Sequence, residues 1–305
     1  MSTDVEAIVR AVLAELRDPE QVTDPEPVPA PVPAADGRPA DAHAALRLDL
    51  PDLATPQARS VPGIPSPAEP QALANLMATT TARVGVGRAG PRPRTRSLLL
   101  FQADHGVTQD SIYGEVDDAV KDQLGLFTVR TRVSDKSEYL LRPDLGRLLS
   151  DEAQQAISER CAKGPQVQIV VGAGLSAAAI NHNLPQIYPV IEEGLRGAGV
   201  TVGTPFYIEY ARVGVINAVN DLIGADVVVI LIGERPGLGI PDAMSAYLGW
   251  RPGAGKTDAH RDLLCMITDR GGVNPLEAGA YVVELIRKTL RHEASGVELR
   301  QSATD

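Results

Sequence analysis

Aromatic residues make up only 4% of this 305-residue chain, and there are two cysteines. So few rings leave few platforms for stacking bases or sugars. Basic residues are also outnumbered: 29 against 39 acids give a formal net charge of −10, the wrong sign for gripping a phosphate backbone. Cys161 and Cys265 lie too far apart to form a ligand-spaced cluster, and their use suits a reducing cytosol. No apolar run is long enough to span a bilayer, and Met1 is not followed by the basic and apolar regions of a secretory signal. The expectation is a soluble intracellular protein that binds neither nucleic acid nor membrane.

Catalytic signatures are missing as well. No H-E-x-x-H, paired-cysteine or serine-elbow pattern occurs. The acid–histidine pairs worth a metal or acid–base thought are Asp104-His105 and Asp258-Ala259-His260. The Asp-x-His-x-x-Gly pattern of cobalt-ligating proteins fails at Leu263. Gly253-Ala254-Gly255-Lys256-Thr257 fails as a phosphate loop because Trp250 stands where glycine is needed. No catalytic constellation and no metal site is expected.

What is present is an α/β pattern. Val227-Val228-Val229-Ile230-Leu231-Ile232 carries no charge and reads as a strand buried on both faces, as inside a parallel sheet. It runs into Gly233-Glu234-Arg235-Pro236-Gly237-Leu238-Gly239, a stiff turn bearing one acid and one base where open α/β sheets bind ligands. Val167–Val171 reads as a second strand, and Gly172-Ala173-Gly174-Leu175-Ser176-Ala177 opens a helix after it. Further expected elements are a helix near 186–198, strands near 206–210 and 263–268, a helix from Val215 to Ile223, and a closing helix striped by Leu276, Ala280, Val283, Ile286 and Leu290. This alternation predicts a doubly wound, mostly parallel Rossmann-like sheet over residues 165–298.

Residues 71–164 read as mainly helical, with a basic Gly/Pro-rich loop from Gly85 to Arg96. Residues 18–70 are Pro/Ala/Asp-rich without an apolar period and read as a disordered linker. Before them, Val5, Ile8, Val9, Val12, Leu13 and Leu16 stripe a helix over 1–17, read as a docking helix because so short a helix needs a partner surface. The Gly172 motif fits G-x-G-x-x-G/A, so a free-standing NAD(P)-binding oxidoreductase is a legitimate alternative, although no acid follows at the end of a clear second strand.

The chain resembles the small subunit of ethanolamine ammonia-lyase over roughly Gln71 to Gly296. The resemblance rests on Gly87–Thr95, Ala103-Asp104-His105, Ser134-Asp135-Lys136, Tyr139 to Asp144, Gly174-Leu175-Ser176, Val202 to Phe206, Tyr210-x-Arg212-Val213, Gly233 to Gly239, and Gly271-Gly272 followed by Pro275-x-Glu277-Ala278. It implies a two-subunit lyase that uses adenosylcobalamin to turn ethanolamine into acetaldehyde and ammonia by a radical route. The large subunit would hold the substrate while this chain covers part of the corrin ring. It also implies a cytoplasmic location or one inside a bacterial microcompartment, where a shell protein would be a further partner. Family cofactor contacts carry onto Val213 and Glu234, with a structural ion pair to Arg235 as the plain alternative for Glu234. The third family contact is a cysteine. Alignment through Asp258-Ala259-His260-Arg261 places Leu263 there, and Cys265 could fill it only with a gap.

Overall fold

The computed structural model describes residues 56–302. The helix expected over 1–17 and most of the 18–70 linker lie outside the described residues. In chain order the helices α1 (Pro56–Arg59) and α2 (Pro70–Thr79) come first. A two-stranded arm follows, β1 (Arg88–Ala89) and β2 (Arg92–Pro93), and then helices α3 (Thr95–Tyr113) and α4 (Asp118–Gln123). Next are β3 (Phe127–Arg130), α5 (Lys136–Leu141), α6 (Asp151–Arg160), β4 (Val167–Gly172) and α7 (Ala177–Gly197). The rest are β5 (Phe206–Glu209), α8 (Val215–Ile223), β6 (Val227–Gly233), β7 (Met244–Trp250), β8 (Arg261–Ile267), α9 (Pro275–His292) and α10 (Val297–Ser302).

Six strands form one sheet in the order β3-β5-β4-β6-β7-β8. The first four are parallel; β7 and β8 add on antiparallel. The expected mostly parallel α/β sheet is therefore present. Every residue of β4 and β6 is buried, because helices cover both faces. On one face α7 and α9 pack against Val167, Ile169, Val171, Val227, Val229 and Leu231. On the other, α6 and α8 pack against Val170, Phe206, Ile208, Val228 and Ile230. Each of these branched side chains contributes about 1.5–3 kcal/mol on burial, which keeps the sheet a rigid platform for its loops.

Some elements differ from the sequence expectation. β3 falls within the segment expected to be helical, yet it pairs in parallel with β5 as an edge strand, with Phe127 and Val129 turned inward and Thr128 and Arg130 outward. Four residues are too few for alternation to announce a strand. The helix expected near 186–198 begins at Ala177 and runs through Pro185 and Pro189. The lost backbone bonds are offset by a fully buried face of Ile180, Leu184, Ile187, Ile191 and Leu195. β7 was not expected, and the strand after it is antiparallel.

Candidate functional site

The parallel strands β3, β5, β4 and β6 end on one edge of the sheet, and chain connections diverge to either side of β4. Such a switch point opens a crevice. Here the loops after β4, β5 and β6 supply Gly174, Leu175, Arg212, Val213, Glu234 and Arg235 to a cleft of about 350 Å³. Tyr139, Ser245, Tyr247 and Cys265 also line it. Val213, Glu234 and Cys265, far apart in sequence, thus line one cleft. Leu263 is 45% exposed, opposite Tyr247 on β8, and does not line the cleft.

A bulge in β8 explains the choice between those two positions. Tyr247 pairs with Leu263 and Ala246 with Leu264, but Met244 then pairs with Ile267. Cys265 and Met266 both stand opposite Ser245, two residues against one. Leu264 and Ile267, three apart, consequently reach the same core face, whereas Cys265 is re-aimed toward the cleft. Met266 holds the left-handed backbone this requires, at φ 56°. A branched-free but non-glycine residue there costs about 1–2 kcal/mol, so something must hold it.

Glu234 does. Its Oε1 accepts the Met266 N–H at 2.8 Å and also the Ser245 hydroxyl. Among the described residues no ion pair with Arg235 forms, and no protein hydrogen bond reaches Oε2. One carboxylate oxygen thus pins the bulge while the other remains an acceptor beside the cleft.

The same cleft also carries a cation. The Arg212 guanidinium lies 4.0 Å over the Tyr139 ring and donates to the Tyr139 carbonyl at 2.8 Å. Its buried Nε has no hydrogen-bond partner. Tyr139 is itself locked by its hydroxyl donating to the Ala211 carbonyl at 2.8 Å, and burial pushes that phenol up to about 12 despite the nearby guanidinium. Lys136 caps the other side of the ring at 5.2 Å; burial, then Arg212, pushes its ammonium down. A second cleft of about 440 Å³, lined by Lys121, Arg130 and Lys136 among others, adjoins the first through Gly174. No role was assigned to Tyr139, Arg212 or Lys136 from sequence, although all three stand in motifs that carry the resemblance.

A family model, that of the ethanolamine ammonia-lyase light chain, matches residues 70–300. This chain belongs to that family. Membership implies a subunit of ethanolamine ammonia-lyase, with a large subunit as its partner. The light chain's other sequence candidates have structural duties. Asp104 is buried against Arg59 and Arg83, Asp258 pairs with Arg261, and the His260 ring accepts the Thr257 N–H at 3.1 Å in a local cap. In the glycine motif, Gly174 sits so close to β6 that a Cβ would lie 2.2 Å from the Gly233 carbonyl. Ser176 takes the Ala179 N–H at 3.1 Å at the start of α7. The features a dinucleotide pyrophosphate would use are spent on internal packing. No helix among the described residues is long and apolar enough to cross a membrane.

Proposed function

We propose that this light chain forms one wall of the adenosylcobalamin site of ethanolamine ammonia-lyase, covering an edge of the corrin ring while the large subunit holds ethanolamine. The observation that carries this reading is the convergence of Val213, Glu234 and Cys265 on one cleft at the sheet's switch point. The residues fit the group. A corrin bears an apolar rim and amide side arms, and it is far larger than 350 Å³, so an open cleft can seat only part of it. Val213 offers apolar surface to the rim. Glu234 Oε2 accepts from amide N–H groups, and the Arg212 guanidinium, which lines the cleft, offers a cation to a carbonyl or phosphate oxygen. Cys265 occupies the third contact in place of Leu263.

When bound, the cofactor supplies the radical that converts ethanolamine to acetaldehyde and ammonia. The chain's own residues hold and orient it. The bulged β8, clamped by Glu234, and the Tyr139–Arg212 stack make the cleft stiff before any ligand arrives, so little ordering entropy is lost on binding. Glu234 and Arg212 are engaged in contacts that suit holding a ligand, which supports leaving the substrate chemistry to the partner. A cytoplasmic protein, free or packaged with a shell protein in a microcompartment, is consistent with this role.

The test is to assay ammonia release from ethanolamine, with adenosylcobalamin present, by each purified subunit and by the two together. Activity is expected only from the mixture, accompanied by visible corrinoid absorbance in the complex. Turnover by the light chain alone, or a complex that binds no corrinoid, refutes the reading.

A further inference from the structure

Between Glu69 and Asp104 the chain has five arginines, Arg83, Arg88, Arg92, Arg94 and Arg96, and no acid, although its net charge is −10. Arg83 is neutralised by the buried Asp104. The other four meet no carboxylate among the described residues. Arg88 donates to the Pro91 carbonyl at 3.1 Å, Arg94 to the Arg88 carbonyl at 3.2 Å and Arg96 to the Ala58 carbonyl at 3.1 Å. These bonds orient the guanidinium groups without cancelling their charge. The arm that carries them is fixed: Gly63 N–H bonds the Gly85 carbonyl at 2.8 Å and Arg94 N–H the Gly87 carbonyl at 2.9 Å. Gly87 packs so tightly that a Cβ would lie 2.0 Å from the Gly63 carbonyl.

Beside the arm, α3 is inside out. Its buried residues are polar: Asp104, Thr108 and Ser111. Its exposed ones include Leu98, Leu99, Phe101 and Val107, each at least 40% accessible, and α2 adds Leu76 at 56% with no buried residue of its own. A helix stabilised by its own domain would show the reverse arrangement. Exposed apolar side chains in this density, rimmed by oriented arginines, have the composition of an interface core with its rim.

We propose that the surface built from α2, the β1–β2 arm and α3 is the seat for the large subunit, and that it receives an apolar patch edged with carboxylates. This inference rests on the reading that the chain works with a large subunit. The charge identifies the occupant. Two copies of this surface meeting through a two-fold axis would oppose four unpaired arginines to four more while expelling water, which is strongly unfavourable. A different chain bearing acids meets the arginines with opposite charge.

The experiment co-expresses the full chain with the large subunit and reads association by affinity capture and sedimentation. Arg92→Glu and Leu99→Glu are the variants, because neither side chain makes a hydrogen bond or ion pair among the described residues. Each should weaken association at least ten-fold while the light chain's melting temperature stays put. Wild-type association should weaken as salt rises, with a shallower dependence in Arg92→Glu. Glu234→Gln should assemble normally, which separates this surface from the cofactor cleft. If both variants assemble like the wild type, the inference is overturned while the cofactor reading stands. If the variants instead dissolve a light-chain dimer and leave the large-subunit complex intact, the occupant is a second copy and the inference also fails. Absence of any wild-type complex overturns this surface together with the reading beneath it.

Discussion

Glu234 braces the β8 bulge through one carboxylate oxygen, and the proposed cofactor contact falls to the other, so two substitutions separate the observed role from the proposed one. Glu234→Ala removes the acceptor from the Met266 N–H and the Ser245 hydroxyl. A hydrogen bond to a charged group is worth about 1.5–3 kcal/mol. Met266 sits at φ 56°, a conformation that itself costs about 1–2 kcal/mol without a restraint. The alanine variant should therefore lose about 1.5–3 kcal/mol of stability, seen as a fall of roughly 3–12 °C in melting temperature by circular dichroism. Glu234→Gln keeps an acceptor for the bulge and replaces the outward oxygen with a donor. Its melting temperature should stay within about 2 °C of the wild type. Its affinity for adenosylcobalamin, titrated into the two-subunit complex by visible absorbance, should fall roughly ten- to a hundred-fold, the same 1.5–3 kcal/mol expressed as binding. The alanine variant should bind at least as poorly. Wild-type affinity in Glu234→Gln would mean that the carboxylate never touches the cofactor. An unchanged melting temperature in Glu234→Ala would mean that it does not hold the bulge.

Two further outcomes follow from the same geometry. Cys265 is exposed on the cleft wall, whereas Cys161 is buried and its thiol is pushed up by burial, so a thiol reagent should label Cys265 first. Adenosylcobalamin added to the complex should slow that labelling several-fold, and mass spectrometry showing no protection would remove Cys265 from the site. Asp242 closes the Glu234 loop: it is buried, 3.0 Å from His182 Nδ1 and 3.2 Å from Arg270 Nε, and its carbonyl takes the Asn183 amide at 2.8 Å. Asp242→Ala should cost about 1–3 kcal/mol and lower the melting temperature by roughly 2–12 °C, because His182 and Arg270 lose their shared carboxylate. A melting curve identical to the wild type would show that the loop is held by other means.

Long periodic segments were legible without coordinates. The uncharged run from Val227 to Ile232 announced a strand buried on both faces, and the observed β6 spans Val227–Gly233. The stripe through Leu276, Val283 and Ile286 announced the closing helix, found at Pro275–His292 with Asn274 capping it. In β6 local pattern and tertiary burial demand the same thing; in the closing helix they agree at Val283 and Ile286, while Leu276 is exposed. The ordered motifs that carry the resemblance, from Gly87 to Ala278, likewise pointed to the family whose model matches residues 70–300.

What tertiary structure alone decided is how distant residues face one another. Alternation along Leu263, Leu264, Cys265, Met266 and Ile267 assumes a period of two, and a bulge adds one residue to that count. The bulge is braced by Glu234, thirty-two positions earlier in the loop after β6, whose carboxylate accepts the Met266 N–H. That Cys265 lines the cleft and Leu263 does not has a reason no local reading contains. The same holds for Arg212. Its sequence neighbours say only that a cation sits before Val213; its place is fixed by stacking on Tyr139, seventy-three positions away, with one buried nitrogen left without a partner among the described residues. The sequence determined the α/β class, the buried strands β4 and β6 and the family. Folding decided which side chains look into the crevice, because that depends on non-local pairing that residue periodicity does not encode.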